Sequence, residues 1–435
     1  MPGRVRRNTE LGLILLGAVI TIGAYILASL GRSDVLPADV VPFLVAVLVL
    51  LLGAHIANRF LAPDADGLLL PLAALLNGIG YVFIARLDED LAGLQAMWTA
   101  VGIGLYIATL LVVRRTRLLE RYRFTVGLLA MLLLLLPLVP SVGQQIGGAR
   151  IWVSLGPVNF QPGEFAKIAF AVFFAGYLVE RRELLGMATF KLGPVHIPDP
   201  KHLAPVVIAW GVSLVVMMFE RDLGSALLFF VLFLVMLWIA TQRVWYVATG
   251  FVLFGLGAWF SWTRFSHVQV RVSAWLDPWA DPDTAGQIIE GTYAMAWGGL
   301  AGTGLGLGFP WKIPVVETDF IFAAIGEELG LLGATAVIVA FLLMTGSGLR
   351  IAARASDPFD KLLATGLTTL LAVQAFIIIG GVVRLLPLTG VTLPFVSYGG
   401  SSLLANYVLL ALLVRISDQS SRRPATRPER ERAAA

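Results

Sequence analysis

The chain has 435 residues, 58% of them hydrophobic and only 14% charged, with a mean hydropathy of +0.83; a soluble domain carries roughly a quarter charged residues, so a soluble multidomain enzyme is excluded. It has no cysteine, and His55, His196, His202 and His267 are scattered, which excludes disulfides, thiol catalysis and thiolate metal sites and argues against zinc. The net charge of +4 resides mostly in loops and reads as a topology signal, not as nucleic-acid binding.

A spanning helix needs about 20 mostly apolar residues. Runs of that kind fall at 11–31, 40–61, 67–85, 95–113, 124–142, 164–180, 203–219, 224–241, 243–262, 319–349, 359–384 and 398–416. The fold class expected is therefore an all-α polytopic membrane protein with about twelve transmembrane helices. The first run follows Arg4, Arg6 and Arg7 but is too long for a signal-peptide core and lacks a cleavage site. The runs 203–219 and 224–241 read as two spans or as one bent unit. The short alternating segments of a β-barrel are not seen. The tail 419–435 is polar and rich in Pro and Arg, and is expected to be disordered.

Basic residues divide the connecting segments into two sets. Arg4, Arg6 and Arg7, the cluster Arg114–Arg123, the group Arg181, Arg182, Lys191 and Lys201, then Arg350, Arg354 and Lys361, and the Arg-rich tail all fall on one side of twelve spans. That side is expected to be cytoplasmic, with both termini on it. The opposite side is poor in basic residues and carries two long loops, 143–163 and 263–318. Long loops between membrane helices are more often functional than accidental. Segment 286–300 is mildly apolar and is expected to form a short re-entrant or interfacial helix.

Candidate chemistry lies in these loops. Trp275-Leu276-Asp277-Pro278-Trp279-Ala280-Asp281-Pro282-Asp283 holds two Asp-Pro pairs. Proline restricts the residue before it, so the run reads either as a rigid turn or as a general base on a fixed backbone. Glu164 and Lys167 are three apart at a helix start and share a face. They read as an ion pair, or Lys167 and Arg150 together meet an anionic group such as a phosphate. Asp222 reads as a helix N-cap. Glu327 and Glu328 follow Thr318-Asp319-Phe320; acids at membrane depth are costly and are functional candidates, with a structural pair as the alternative. The run Gly302-Thr303-Gly304-Leu305-Gly306-Leu307-Gly308 follows no strand and is not a nucleotide loop. Flexible loop or close backbone packing explains it better. Ser397-Tyr398-Gly399-Gly400-Ser401-Ser402 reads as helix packing or as a polar cavity wall.

In order along the chain, these segments resemble the SEDS family, the shape, elongation, division and sporulation glycosyltransferases. Arg150–Trp152 followed by Gln161-Pro162, Glu164 and Lys167 is similar to its first signature, and Asp222-Leu223-Gly224-Ser225-Ala226 to its second. Asp277-Pro278, Asp281-Pro282, Gly298-Gly299-Leu300 and the glycines at 302, 304 and 306 resemble its large extracellular loop. Thr318-Asp319-Phe320-Ile321-Phe322 and Gly326-Glu327-Glu328-Leu329-Gly330 are the most specific match. Leu386-Pro387-Leu388-Thr389-Gly390, Leu393-Pro394 and Ser397-Tyr398-Gly399-Gly400-Ser401 complete it. The tryptophan-leucine-Asp-Pro form resembles the elongation branch more than the division branch.

The resemblance implies a GT-C-like fold with the core at 67–418, the catalytic loop at 263–318 and two extra helices within 1–66. It implies polymerisation of lipid II alongside a class B penicillin-binding transpeptidase and other elongation-complex membrane proteins, in the bacterial inner membrane. It assigns catalysis to Asp281 and not Asp277, and substrate contacts to Arg150, Trp152, Glu164, Lys167, Asp222, Asp319, Ser397 and Ser401. Mg²⁺ or Mn²⁺ is a candidate cofactor. A lipid-precursor flippase, a scaffold and a division-type polymerase are the alternatives. The sequence departs from the family pattern at Leu94 in Leu94-Gln95-Ala96-Met97-Trp98, at Gly286-Gln287, which lacks a tyrosine, and at Glu317, where a histidine is usual.

Overall fold

A computed structural model describes residues 2–32, 40–140, 142–146, 148–156, 158–186, 190–192, 195–197 and 200–422. The helices are α1 (Pro2–Arg32), α2 (Val40–Leu61), α3 (Leu69–Leu87), α4 (Glu89–Val112), the short α5 (Arg117–Arg121), α6 (Arg123–Leu135), α7 (Pro162–Gly186), α8 (Pro200–Glu220), α9 (Leu223–Thr241), α10 (Val244–Arg264), α11 (Ser266–Leu276), α12 (Pro282–Gly298), α13 (Ile321–Arg354), α14 (Pro358–Val382) and α15 (Gly400–Arg422). Among the described residues, nine helices are long and apolar enough to cross a membrane. Three shorter apolar stretches, Val47–Leu61, Arg123–Leu138 and Trp210–Glu220, accompany them. Every expected span coincides with one of these. The expected tail is helical as far as Arg422, which pairs with Asp418 at 3.0 Å; residues 423–435 lie outside the described residues.

Helix starts follow local chemistry. Asp88, Asp222, Asp281 and Asp357 each cap a helix by accepting from a backbone N–H, and in the last two a proline follows at the first helical position. The α8–α9 pair is two helices, not one bent unit. Arg221 takes φ +62°, and Asp222 N–H bonds back to the Met217 carbonyl at 2.9 Å, which closes α8 before α9 begins.

The sequence showed no strands, yet the first long loop folds into a small antiparallel sheet. It contains β1 (Gly143–Ile146), β2 (Ala149–Leu155) and β3 (Val158–Phe160), in that order. A second pair, β4 (Phe190–Leu192) and β5 (Val195–Ile197), follows α7. β3, β4 and β5 have three residues each, below the length at which alternation is legible, and β2 does not alternate, because Ile151, Trp152 and Val153 are consecutive apolar residues. The second long loop contains α11 and α12; α12 fulfils the expected helix at 286–300, and α11 is an addition.

α15 is buried along most of its length, packed against α4 and beside α7, α13 and α14. The glycine run serves close backbone packing. α13 breaks at Gly330 (φ 65°, ψ −166°). Into that break fit Thr303 N and Gly304 N, which donate to the Glu327 and Glu328 carbonyls at 2.9 and 3.1 Å. A Cβ on Gly302 would lie 2.2 Å from the Glu328 carbonyl oxygen. Only glycine fits there.

The two N-terminal helices are tied to the rest by a buried polar network. Glu10 pairs with Arg7 and with His55 Nδ1 (2.8 Å), Asn58 donates to Glu10 at 3.3 Å, and Tyr106 of α4 donates to Asn58 at 2.6 Å. The far end of α1 touches the glycine run, where a Cβ on Gly31 would come 2.3 Å from the Leu305 carbonyl oxygen.

Candidate active site

Two groups of buried or half-buried charge meet at the end of the bundle that carries the long loops. The first starts on α7. Lys167 Nζ donates to Glu164 Oε1 at 2.8 Å and to Gln374 Oε1 of α14 at 3.1 Å. Gln374 in turn donates to the Thr392 carbonyl at 2.9 Å. Lys167 and Glu164 are both buried, so the ion pair expected from their spacing exists inside the protein and not on a wet surface. Asp222 lies within the field of both. It caps α9 by accepting from Ser225 N at 2.9 Å. Burial pushes its carboxyl above the usual range, against the hydrogen bonds from Ser225 and the pull of Lys167.

The second group centres on Arg271 of α11. Its Nη1 donates to the carbonyls of Leu388 and Thr389 at 3.1 and 2.9 Å. Burial raises Asp319 to about 6, with hydrogen bonding from Thr318 and the charge of Arg271 opposing the rise. Gly390 (φ 73°) lies against both side chains: a Cβ there would sit 3.6 Å from Asp319 Oδ2 and 3.7 Å from Arg271 Nη2. His267 is held below its ordinary value by burial and by the charges of Arg221 and Arg271, so it stays neutral near pH 7. The segment 386–401 joins the two groups, because Thr389 and Val391 pack on Gly224 while Thr392 holds Gln374.

Asp281 lies beside this strip, on an exposed rim. A turn of 3₁₀ helix at Pro278–Ala280 precedes it, and its carboxylate accepts from Thr284 N at 3.4 Å. Asp277, also exposed, ends α11. Arg384 (φ 60°) fastens the turn. Its carbonyl accepts from the Trp275 indole at 2.9 Å, its guanidinium donates to the Trp275 carbonyl at 3.2 Å and lies 5.1 Å from the Trp279 ring centre. Trp279 then donates to the Tyr293 hydroxyl at 3.3 Å. Among the described residues, no hydrogen bond or ion pair joins Asp281 to Glu164, Lys167 or Asp222.

The remaining expected contacts are spread around these groups. Arg150 and Trp152 sit on β2, where Trp152 pairs with Gln144 of β1. Arg150 is half-buried and has no ionic or hydrogen-bonding partner among the described residues. Ser401 accepts from Gln161 N at 2.9 Å and so ties α15 to the start of α7. Ser397 donates to the Thr318 carbonyl at 2.5 Å and accepts from Leu393 N at 2.9 Å, which leaves it one lone pair. Glu327 and Glu328 shape the glycine run: they accept from Phe309 N (2.7 Å) and Gly306 N (3.0 Å), and Arg86 pairs with Glu328 at 3.4 Å.

Sequence reasoning missed Arg271, Gln374 and Arg384. Arg271 is four residues from Trp275, at the spacing of one helix face. Gln374 is a polar residue in an apolar run. Arg384 is basic on the side otherwise poor in basic residues. Among the described residues no three His, Asp or Glu side chains converge; Glu164 and Asp222 are the two carboxylates that face the same buried lysine.

A family model for cell cycle proteins of the FtsW/RodA/SpoVE type matches residues 69–422. A peptidoglycan glycosyltransferase RodA of Mycobacterium tuberculosis is 44% identical over 439 aligned positions, covering 98% of this chain and 94% of the relative. A probable peptidoglycan glycosyltransferase FtsW of Geobacter metallireducens is 36% identical over 70% of this chain and 79% of its own length. In a solved structure concerned with polymerisation and crosslinking by a peptidoglycan synthase complex, one chain superposes with a TM-score of 0.68 at 25% identity, over 82% of this chain and 99% of that one.

Proposed function

This chain belongs to the FtsW/RodA/SpoVE family of cell cycle proteins, and from that premise we propose how its residues carry out the reaction. It is a multi-pass membrane protein and a peptidoglycan glycosyltransferase. The substrate we assign is lipid II, polymerised into glycan strands during cell elongation beside a class B penicillin-binding transpeptidase. The similarity to a chain from a peptidoglycan synthase complex supports the partner. The asymmetry of Lys and Arg supports a bacterial inner membrane, cytoplasmic termini and chemistry on the outer face.

One lipid-linked saccharide offers a sugar hydroxyl. Asp281 accepts its proton as the oxygen attacks the anomeric carbon of the second lipid-linked chain. The new C–O bond forms as the bond to the diphosphate breaks, and the electron pair leaves with the diphosphate. Attack opposite the leaving group inverts the anomeric carbon. The observation that carries this reading is Asp281 itself: an exposed carboxylate with one long hydrogen bond, on a turn fixed by Arg384 and Trp279. Arg150, which has no ionic or hydrogen-bonding partner among the described residues, and Lys167 supply positive charge for the diphosphate. Glu164 and Asp222 are the residues that would hold an Mg²⁺ or Mn²⁺, which when bound would supply further positive charge for the leaving group.

Purified protein, its transpeptidase partner and labelled lipid II test the reading. Glycan ladders that vanish in Asp281→Asn support it. Transbilayer movement of lipid II without product identifies a flippase, and complex formation with neither identifies a scaffold. Full polymerisation by Asp281→Asn removes the base assignment.

A further inference from the structure

A cleft lies beside the turn that carries Asp281 and takes no part in the mechanism above. It has a volume of about 560 Å³ and is lined by Glu290, Tyr293, Trp297, Phe309, Lys312 and Glu327. That size suits a ligand of a few sugar rings or a drug-sized molecule. Tyr293, Trp297 and Phe309 are all exposed, Trp297 to 74%. Glu327 is only 3% exposed. Its Oε1 accepts from Phe309 N at 2.7 Å, but its Oε2 is buried and receives no hydrogen bond. A buried carboxylate oxygen without a donor is costly and calls for a missing partner.

The charges in the cleft select the ligand. Two carboxylates, Glu290 and Glu327, disfavour an anion. Lys312, whose Nζ lies 5.3 Å from the Phe309 ring centre, disfavours a cation. A neutral molecule rich in hydroxyl groups satisfies both: it donates to the carboxylates, accepts from the ammonium and lays its C–H faces on the aromatic rings. A saccharide has those properties.

The cleft is also joined to the catalytic turn. Tyr293 accepts from Trp279, two residues before Asp281. Along α12, Glu290 and Trp297 lie roughly 14 and 24 Å from Asp281 at the rise of a helix. We propose that this cleft is a saccharide subsite that holds the glycan strand as it leaves Asp281. The proposal rests on the polymerase reading for the identity of the strand, whereas binding can be measured without turnover.

The probe is an uncharged, lipid-free and peptide-free tetrasaccharide of β-1,4-linked N-acetylglucosamine, which presents the sugar backbone alone, added to the full-length Asp281→Asn protein in nanodiscs. Saturable change in tryptophan fluorescence is expected, weakened about tenfold, or 1.4 kcal/mol, when Glu327→Gln or Trp297→Ala is added. With Asp281 intact, the same two variants are expected to shorten glycan strands several-fold while the rate of the first bond is kept. Unchanged strand length together with unchanged or absent tetrasaccharide binding overturns the subsite. So does strong quenching of Trp297 by bromine-labelled acyl chains, which would place the aromatic shelf in the bilayer. If Asp281→Asn polymerises normally, the base assignment falls, but the tetrasaccharide measurement still decides the subsite.

Discussion

Trp275 and Arg384 hold each other by two reciprocal hydrogen bonds, indole N–H to the Arg384 carbonyl at 2.9 Å and guanidinium to the Trp275 carbonyl at 3.2 Å. This pairing pins the end of α11 to the segment after α14, and Arg384 also lies against Trp279 in the turn before Asp281. With Asp281 as the proposed base, Arg384 is thus a positioning residue. Arg384→Ala is expected to lower polymerisation by about 10- to 100-fold, because a small displacement of a reacting group carries that cost. The loss should fall on kcat more than on KM for lipid II, with the thermal midpoint nearly unchanged. Arg384→Lys should not restore it, since lysine lacks the planar fork. A proportional rise in KM alone would show that Arg384 binds substrate instead.

Lys167 and Glu164 are expected to behave as a unit. Lys167→Met leaves the buried Glu164 carboxylate without its counter-charge, a change of about 3–5 kcal/mol for a buried pair. The double variant Glu164→Gln/Lys167→Met should recover most of the thermal midpoint yet remain inactive. Thermal unfolding in detergent, paired with the glycan ladder assay, reads both. Recovery of activity along with stability would make the pair purely structural.

Asp319 gives a pH dependence with a definite sign. Burial raises its carboxyl to about 6 in the folded protein, above the ordinary value of 3.8. The folded state therefore binds this proton more tightly than the unfolded state. The stability it contributes is fully present below about pH 4 and is lost as pH rises through about 6. Asp319→Asn should flatten this part of the midpoint–pH curve between those values. A wild-type curve of the same shape as the variant's would contradict the assignment.

Gly330→Ala should be severely destabilising. The residue has φ 65° within α13, and a Cβ would lie 2.3 Å from Gly302 N, a backbone atom that cannot step aside. Loss of the folded fraction on size-exclusion chromatography is expected, while Gly346→Ala on the same helix, with nothing within 4 Å, should be tolerated.

Much of this architecture was legible from hydropathy, because a bilayer demands long apolar helices wherever the chain crosses it. Nine of the twelve expected spans match helices long and apolar enough to cross a membrane among the described residues, the other three match shorter apolar stretches, and the two long loops and the α12 helix are visible in the same way. So were the Glu164–Lys167 pair and the Asp222 cap, since both are local: their partners lie within a few residues along the chain. The ordered motifs carry the family resemblance for the same reason: each is a short run of neighbouring residues.

Tertiary structure alone decided the rest. Gln374 reaches Lys167 across two helices, and Arg271 meets the carbonyls of Leu388 and Thr389 from more than a hundred residues away. The glycine run had two open readings until Gly302 and Gly330 were seen backbone to backbone. Strand β2 carries no alternating signal, since Ile151, Trp152 and Val153 run consecutively, and β3 has only three residues. Sequence thus fixed which residues had to be in the membrane and which acids stood at helix starts, because those are short-range consequences of hydropathy and capping. Which charges share a wall, and that Asp281 stands on a rim braced by Arg384, depended on how distant helices pack.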